Sequence, residues 1–244
     1  MRTYKLTVSY DGTRYQGWQK QKNTDKTIQA IVENALGKTA GYPVEIYGSG
    51  RTDAGVHAKG QTLSCSLRGK IREETFQEVI NSLLPEDIRV IRTELVKNGF
   101  HARYSASGKC YEYHIDTRQK QDVFERRYSY HFPYKVDKKK MEEAARILIG
   151  THDFAAFTDK KEEKSTIRSI YDIMIAGQDG KIQITYRGNG FLYHMVRILT
   201  GTLLEVGMGK LTTEEIAGAL VTGERKKAGF MAPAKGLFLK EVYY

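Results

Sequence analysis

Residues 48–58 combine three glycines with one carboxylate and two basic side chains, and Asp53 lies between Arg51 and His57. A carboxylate beside a guanidinium stays ionised at neutral pH, because the positive charge lowers its pKa. Such a group can act as a nucleophile or an electrostatic stabiliser rather than as an acid. The glycines permit positive φ or a close backbone approach. The alternative interpretation is an ordinary polar turn with weak surface charge pairs.

Two short strand patterns, 44–47 and 61–67, flank this stretch and place it on a loop. Before it, alternating apolar residues at 4–8 predict a first strand, and Thr27 predicts the N-cap of a first helix. A second helix is expected to end at Pro85, before a strand over 88–96. The helices are predicted from apolar residues at helical spacing: Ile28, Ile31, Val32, Ala35 and Leu36, then Phe76, Val79, Ile80, Leu83 and Leu84. The predicted order βαββαβ is ferredoxin-like.

The second half of the chain predicts a similar order with an added strand and helix. Its predicted elements are strands at 109–115, 123–132, 166–175 and 181–187, helices after Asp137, from Phe191 and after Thr212, and a last strand into which 232–239 leads. Residues 100–108 read as a connector, so we predict domains 1–105 and 106–244. The expected class is α+β, with two ferredoxin-like halves forming a largely antiparallel sheet. Helices would cover one side of this sheet, and a basic cleft would lie on the other.

Composition narrows the class of partner. The chain has 39 Lys and Arg against 29 Asp and Glu, a formal net charge of +10, which favours a polyanion. Cys65 and Cys110 have no CxxC spacing and predict two buried thiols in a reducing compartment. The histidines show no metal-ligand spacing, so no metal and no cofactor are predicted. We find no run of membrane-spanning length and no signal segment, and expect a cytoplasmic protein.

Several motifs resemble one known family. The segment GRTDAGVHA (50–58) is similar to the signature loop of the TruA family of tRNA pseudouridine synthases. Further segments resemble the family's motifs in the family's order: YDG…GWQ (10–19), FHARYSA (100–106), KCYEY (109–113), FLYHMVR (191–197) and APAKGLFL (232–239). The resemblance covers essentially the whole chain, and the signature loop is long and specific.

The resemblance implies roles for particular residues. Asp53 would be the essential carboxylate, held ionised by Arg197 from the second half and assisted by Arg51. Tyr111 would stack on the target uracil. Arg103 and His57 would belong to the substrate-binding surface.

The resemblance also implies an isomerase of tRNA. The enzyme would convert uridine to pseudouridine at positions 38, 39 and 40 of the anticodon stem-loop, as a homodimer and without a cofactor. Whether Asp53 attacks C1′ covalently or initiates a glycal route remains open at this stage. The target base would have to leave its stack, at a cost of a few kcal/mol.

Two rival classes remain. A non-catalytic RNA-binding module would use exposed aromatics on its sheets. A phosphate-handling hydrolase would use 48–50 as an anion cradle, but no Gly-Lys-Ser/Thr or helix start follows. The mixed-charge run 159–164 is read as a solvated, mobile loop. For His152, a local structural hydrogen bond is preferred over acid-base chemistry.

Overall fold

The computed structural model describes residues 1–68, 72–160 and 165–244. Its internal contacts separate two units, one formed by Met1–Ser107 with Phe238–Tyr244 and the other by Gly108–Leu237. The chain thus returns to the first unit at its end, whereas the sequence places its last residues in the second domain. The reason is strand pairing: Phe238 and Leu239 pair with His57 and Ala58.

The first unit has the predicted order of elements. Its elements are β1 (Arg2–Tyr10), α1 (Ile28–Ala40), β2 (Ile46–Gly48), β3 (His57–Leu67), α2 (Glu73–Leu83), β4 (Ile88–Val96) and, from the end of the chain, β10 (Leu237–Tyr243). The strands pair in the order β4-β1-β3, with β2 and β10 both pairing with β3. Because β1 and β2 are antiparallel to β3, and β4 is antiparallel to β1, the first four strands form a ferredoxin-like antiparallel sheet.

Burial follows the predicted periodicity along β1 and α1. Tyr4, Leu6 and Val8 are fully buried, and the Thr27 side chain accepts a hydrogen bond from Ala30 N–H as the N-cap of α1. The predicted stripe of α2 is only partly correct. Its Phe76, Ile80 and Leu84 are buried, but Val79 and Leu83 are more than two-fifths exposed.

The second unit is built on a hairpin. It contains β5 (Gly108–Asp116), β6 (Tyr130–His131), α3 (Lys138–Leu148), β7 (Gly150–Asp153), β8 (Ile167–Gln178), β9 (Lys181–Gly188), α4 (Met195–Gly207) and α5 (Thr213–Thr222). The strands pair in the order β5-β9-β8-β7, and β6 adds to β5. Asp179 and Gly180, both at positive φ, join β8 to β9, as in a tight Asp-Gly hairpin. The mixed α+β class is therefore confirmed.

The predicted strand over 123–132 is wrong, because only Tyr130–His131 is extended and paired. The Asp122 side chain accepts a hydrogen bond from Phe124 N–H, and the Asp122 carbonyl accepts one from Glu125 N–H. This local turn satisfies the backbone without a strand partner. Val123 and Phe124 do not pack against the sheet, since they are 58% and 86% exposed.

Three smaller predictions, on the two cysteines, on His152 and on the start of α5, are confirmed. Cys65 and Cys110 are both buried thiols, and burial raises the pKa of Cys65 to about 12. His152 Nε2 lies 3.0 Å from the Ile149 carbonyl oxygen, the expected local hydrogen bond. Thr212 and Glu215 form a capping box at the start of α5. No helix within the described ranges is both long and apolar enough to cross a membrane.

The charged run 159–164 differs from expectation where it is described. Residues 161–164 lie outside the described residues. Asp159 is not simply solvated, because its carboxylate accepts hydrogen bonds from Arg225 and pairs with His194.

Candidate active site

Asp53 lies on a tight turn between β2 and β3. The Val56 N–H donates to the Asp53 carbonyl oxygen at 3.1 Å, and Gly55 within this turn has φ 76°. A residue other than glycine is rarely stable at such a φ, so the turn requires Gly55. The Asp53 side chain is half-buried, whereas Arg51 is exposed. The turn thus leaves a carboxylate within reach of a ligand.

The segment before α1 packs directly on the backbone of Asp53. The backbone N–H of Trp18 donates to the Thr52 carbonyl oxygen at 3.0 Å. Gly17 has φ 85°, and a Cβ atom there would lie 2.6 Å from the same oxygen. A Cβ atom on Gly48 would lie 2.4 Å from Nε1 of Trp18, which is itself 2% exposed. The motif around Trp18 therefore forms a close-packed support for the Asp53 turn.

Two buried polar side chains fix the start of the turn. The Tyr10 hydroxyl and the Thr52 hydroxyl share a hydrogen bond of 2.8 Å. Burial raises the pKa of Tyr10 well above its ordinary value, so its hydroxyl stays protonated. Gln61 is fully buried and donates from Nε2 to the Gly50 carbonyl oxygen at 2.8 Å. We did not predict this role of Gln61. Its signal in the sequence is an amide at an inward position of a strand, where a buried polar group needs a partner.

His57 is the first residue of β3, so this strand begins four residues before the predicted start. Its ring is 1% exposed and stacks on Phe238, with centroids 4.7 Å apart. Nδ1 accepts a hydrogen bond from Gly12 N–H at 3.1 Å and lies 3.1 Å from a carboxylate oxygen of Asp11. The hydrogen bond from Gly12 needs an Nδ1 without a proton. The contact with Asp11 is an ion pair only when the ring is protonated, so the two contacts belong to different protonation states of His57. His57 holds two backbone segments together beside the turn.

Arg103 belongs to a different segment of the first unit. Its neighbour Ala102 is fully buried and donates from N–H to Ser64 Oγ of β3 at 3.1 Å. The Arg103 side chain is exposed. One loop and the first residue of β3 therefore carry Arg51, Asp53 and His57. The connector after β4 carries Arg103.

In the second unit, Arg197 is buried in the first turn of α4, at 9% exposure. Its Nε donates to the Ala232 carbonyl oxygen at 2.7 Å, and Ala232 N–H donates back to the Arg197 carbonyl oxygen at 3.1 Å. Close approach is possible because Gly201, one turn later, has no Cβ to meet the Phe230 carbonyl. The backbone of Ala232 thus fixes the orientation of this guanidinium. The helix begins at Met195 and not at the predicted Phe191, because His194 has φ 62°.

Tyr111 lies on β5 opposite Tyr186 of β9. Its ring is 7% exposed and meets the edge of Phe191 at a centroid distance of 5.2 Å. Two residues further, the Tyr113 hydroxyl donates to the Pro233 carbonyl oxygen at 2.6 Å. Burial raises the pKa of Tyr113 well above its usual range. Three motifs that are distant in sequence, around 111, 191–197 and 232–236, therefore meet within the second unit.

The fold and this loop define a class: a two-unit α+β protein whose ferredoxin-like first unit carries a reachable carboxylate on a rigid turn. In the ranges 1–68, 72–160 and 165–244, no three His, Cys, Asp or Glu side chains are grouped so as to hold a metal ion.

Comparisons with known proteins identify the family. The sequence pattern of the family described as "tRNA pseudouridine synthase" matches residues 6–105 and 144–244. The chain is 47% identical over 243 residues to "tRNA pseudouridine synthase A" of Bacillus pumilus (strain SAFR-032), covering 98% of each chain. It is 43% identical over 245 residues to the protein of the same name from Acetivibrio thermocellus, covering 100% of each. The chain belongs to the tRNA pseudouridine synthase family.

A third relative and a solved structure complete the comparison. "tRNA pseudouridine synthase A 2" of Clostridium perfringens (strain 13 / Type A) is 45% identical over 245 residues, with both chains fully covered. The structure titled "Crystal Structure of a Cbf5-Nop10-Gar1 Complex" matches 95% of this chain and 47% of that chain, with a TM-score of 0.39 and 12% identity. That likeness is too weak to support a conclusion about function.

Proposed function

We propose that this protein isomerises uridine to pseudouridine in the anticodon stem-loop of tRNA, at positions 38, 39 and 40. The observation that carries the proposal is the Asp53 turn. Its backbone is held by Trp18 and Gln61 while its carboxylate remains reachable. Catalysis by proximity and orientation requires a reactive group that is held in a fixed position. Membership of the family and the net charge of +10 support tRNA as the substrate.

One carboxylate suffices for the proposed chemistry. Breaking the bond between N1 of uracil and C1′ of the ribose develops positive charge on the sugar, as in glycoside hydrolysis. Asp53 either bonds to C1′ and is displaced later, or removes a proton from the sugar to form a glycal. The base then turns and bonds to C1′ through C5, which loses its proton while N1 gains one. In the glycal route, the proton that was removed from C2′ of the ribose returns to C2′ as the new bond forms. Substrate and product are isomers, so the reaction consumes no redox partner and no group donor.

Arg197 is proposed to keep Asp53 ionised and aimed, with Arg51 in a secondary role. A buried guanidinium is always charged and offers several donors in a planar fork. Its Nε is already committed to Ala232, which sets the orientation of the remaining donors. The pairing of Arg197 with Asp53 is a proposal that a charge-neutral variant tests. If the two side chains pair, adding Asp53→Asn to the Arg197→Met variant should restore part of the lost free energy of unfolding, because the carboxylate left without a partner is gone.

Three other residues are proposed to contact or support the RNA. Tyr111 would stack on the detached uracil, with its ring supported by the T-shaped contact with Phe191. The exposed Arg103 would meet a phosphate. The burial of His57 supports a role in holding the loop next to the substrate. We also propose that two copies of the chain act together as a homodimer on one tRNA.

The test uses tRNA transcripts whose uridines carry tritium at C5, because forming the new bond releases that hydrogen to water. We expect release with the wild-type protein and none with Asp53→Ala, while both bind tRNA equally. The matched control is Asp25→Ala, which removes an exposed carboxylate of the same unit. Tight, salt-sensitive binding without release by the wild type would support the non-catalytic RNA-binding class instead.

A further inference from the structure

Three aromatic rings on the surface of the first unit contact one another in a row, each tilted against the next, and we call this row the stack. The ring of His101 lies 5.0 Å from that of Tyr47 and 4.4 Å from that of Tyr104, between centroids, with interplanar angles of 38° and 39°. Tyr47 belongs to β2, and the other two rings belong to the connector after β4. None of the three has a place in the chemistry proposed for Asp53.

Hydrogen bonds hold the backbone turn that carries His101 and Tyr104. His101 Nδ1 accepts hydrogen bonds from the N–H groups of Arg103 and Tyr104, at 3.1 and 3.4 Å. An Nδ1 that accepts from the backbone is unprotonated, so the ring carries its proton on Nε2. The Ala102 carbonyl oxygen accepts from the Tyr244 hydroxyl at 2.8 Å, which ties this turn to the end of the chain. The turn and the His101 ring are therefore held in place before RNA binds, which lowers the entropy lost on binding.

The two ends of the stack differ. At one end the Tyr47 hydroxyl donates to a carboxylate oxygen of Glu45 at 2.8 Å, and this negative charge disfavours a phosphate. At the other end Tyr104 is 80% exposed and adjoins the exposed Arg103. Single exposed aromatics are common on protein surfaces. A row of contacting rings that ends in an open ring beside a cation has the features of a platform for a nucleobase and its phosphate.

We propose that the Tyr47–His101–Tyr104 stack binds one unpaired base of the RNA on the open face of Tyr104, with Arg103 on the neighbouring phosphate. This inference rests on RNA being the substrate. The site is distinct from Tyr111, since it would hold a base that is not modified. It would help to fix the register of the RNA while another base is extruded.

The experiment measures binding of an anticodon stem-loop RNA that carries 2-aminopurine at one loop position at a time. Stacking on a tyrosine quenches this fluorescent base. We expect one position to be quenched by the wild-type protein, and Tyr104→Ala to abolish the quenching and weaken binding about tenfold. Tyr104→Phe keeps the ring and should behave as wild type. The matched control is Tyr171→Ala, which removes a tyrosine 57% exposed on β8.

The outcomes separate this inference from the proposed function. If Tyr104→Ala shows the same quenching and the same affinity as the wild type, the proposed base-binding site is wrong. This holds even if the same sample releases tritium at the normal rate. Loss of affinity in Tyr171→Ala to the same degree would also overturn it, because the effect would not belong to this site. The melting temperature of each variant should match that of the wild type, because the substituted side chains are exposed. An RNA that the wild-type protein does not bind would overturn both proposals.

Discussion

Nδ1 of His194 lies 2.8 Å from Oδ2 of Asp159, and Nε of Arg225 lies 2.7 Å from Oδ1 of the same carboxylate. His194 precedes the first turn of α4 with φ 62°, a conformation that costs a non-glycine residue about 1 kcal/mol or more. Its contact with Asp159 helps to offset that cost. The cluster thus holds the beginning of the helix that carries Arg197.

We predict that Asp159→Asn lowers the free energy of unfolding by about 1 kcal/mol, because a partly exposed charged hydrogen bond is lost. The isomerisation rate should fall while the affinity for tRNA is unchanged, since only the placement of Arg197 is disturbed. Denaturant unfolding and tritium release measure the two effects. Asp25→Asn is the control for removing an exposed carboxylate. An equal loss of tRNA affinity would argue against a positioning role.

The same carboxylate predicts a dependence of stability on pH. Burial by itself would raise the pKa of Asp159, but hydrogen bonds from Arg225 and His194 outweigh it, and the pKa lies below the ordinary 3.8. The ionised form therefore stabilises the fold above that ordinary value, and this contribution is lost as the pH falls through the lower, folded value. The difference in unfolding free energy between wild type and Asp159→Asn should be full at pH 7 and shrink below about pH 4. A constant difference would contradict this.

Gly17→Ala should disable the Asp53 turn. The added Cβ would lie 2.6 Å from the Thr52 carbonyl oxygen, so the backbone beside Asp53 must shift. Gly99→Ala is the matched control, because Gly99 has a similar φ of 91° but no atom within 4 Å of its Cβ position. Both variants pay about 1–2 kcal/mol for the positive φ. Only Gly17→Ala should lose tritium release, and equal activity in the two would refute the support assigned to this segment.

Arg197→Lys should be damaging although the charge is kept. Lysine has no Nε–H at the position that meets Ala232, so a buried carbonyl loses its donor at a cost of about 1–3 kcal/mol. The fork geometry is lost as well, and we expect tritium release to fall at least about tenfold. Arg146→Lys on the exposed face of α3 is the control and should be neutral. Wild-type activity in Arg197→Lys would remove the proposed role.

Elements set by near neighbours were predictable. The period of burial along β1, the Thr27 cap of α1 and the Thr212 capping box each depend on residues within one turn or one strand of each other. The motif loop around Asp53 and its relation to a known family were also readable without a structure. The roles assigned there to Asp53, Arg51, Arg103, His57, Tyr111 and Arg197 stay predictions.

Elements set by distant partners were not predictable. β3 begins at His57 because Phe238 and Leu239, at the far end of the chain, pair with its first residues. The segment 123–132 pairs as a strand only at Tyr130–His131, and its first residues form a turn in which Asp122 satisfies the backbone locally.

The sequence by itself determined the kinds of element, their order and the family, because side-chain period and capping act over a few residues. Only the tertiary structure decided which polar groups are buried and what holds them. Gln61 and Arg197 look like ordinary strand and helix residues, yet each is buried against a backbone carbonyl of another segment. Burial requires a partner for every polar group, and that partner is supplied by packing rather than by neighbours in sequence.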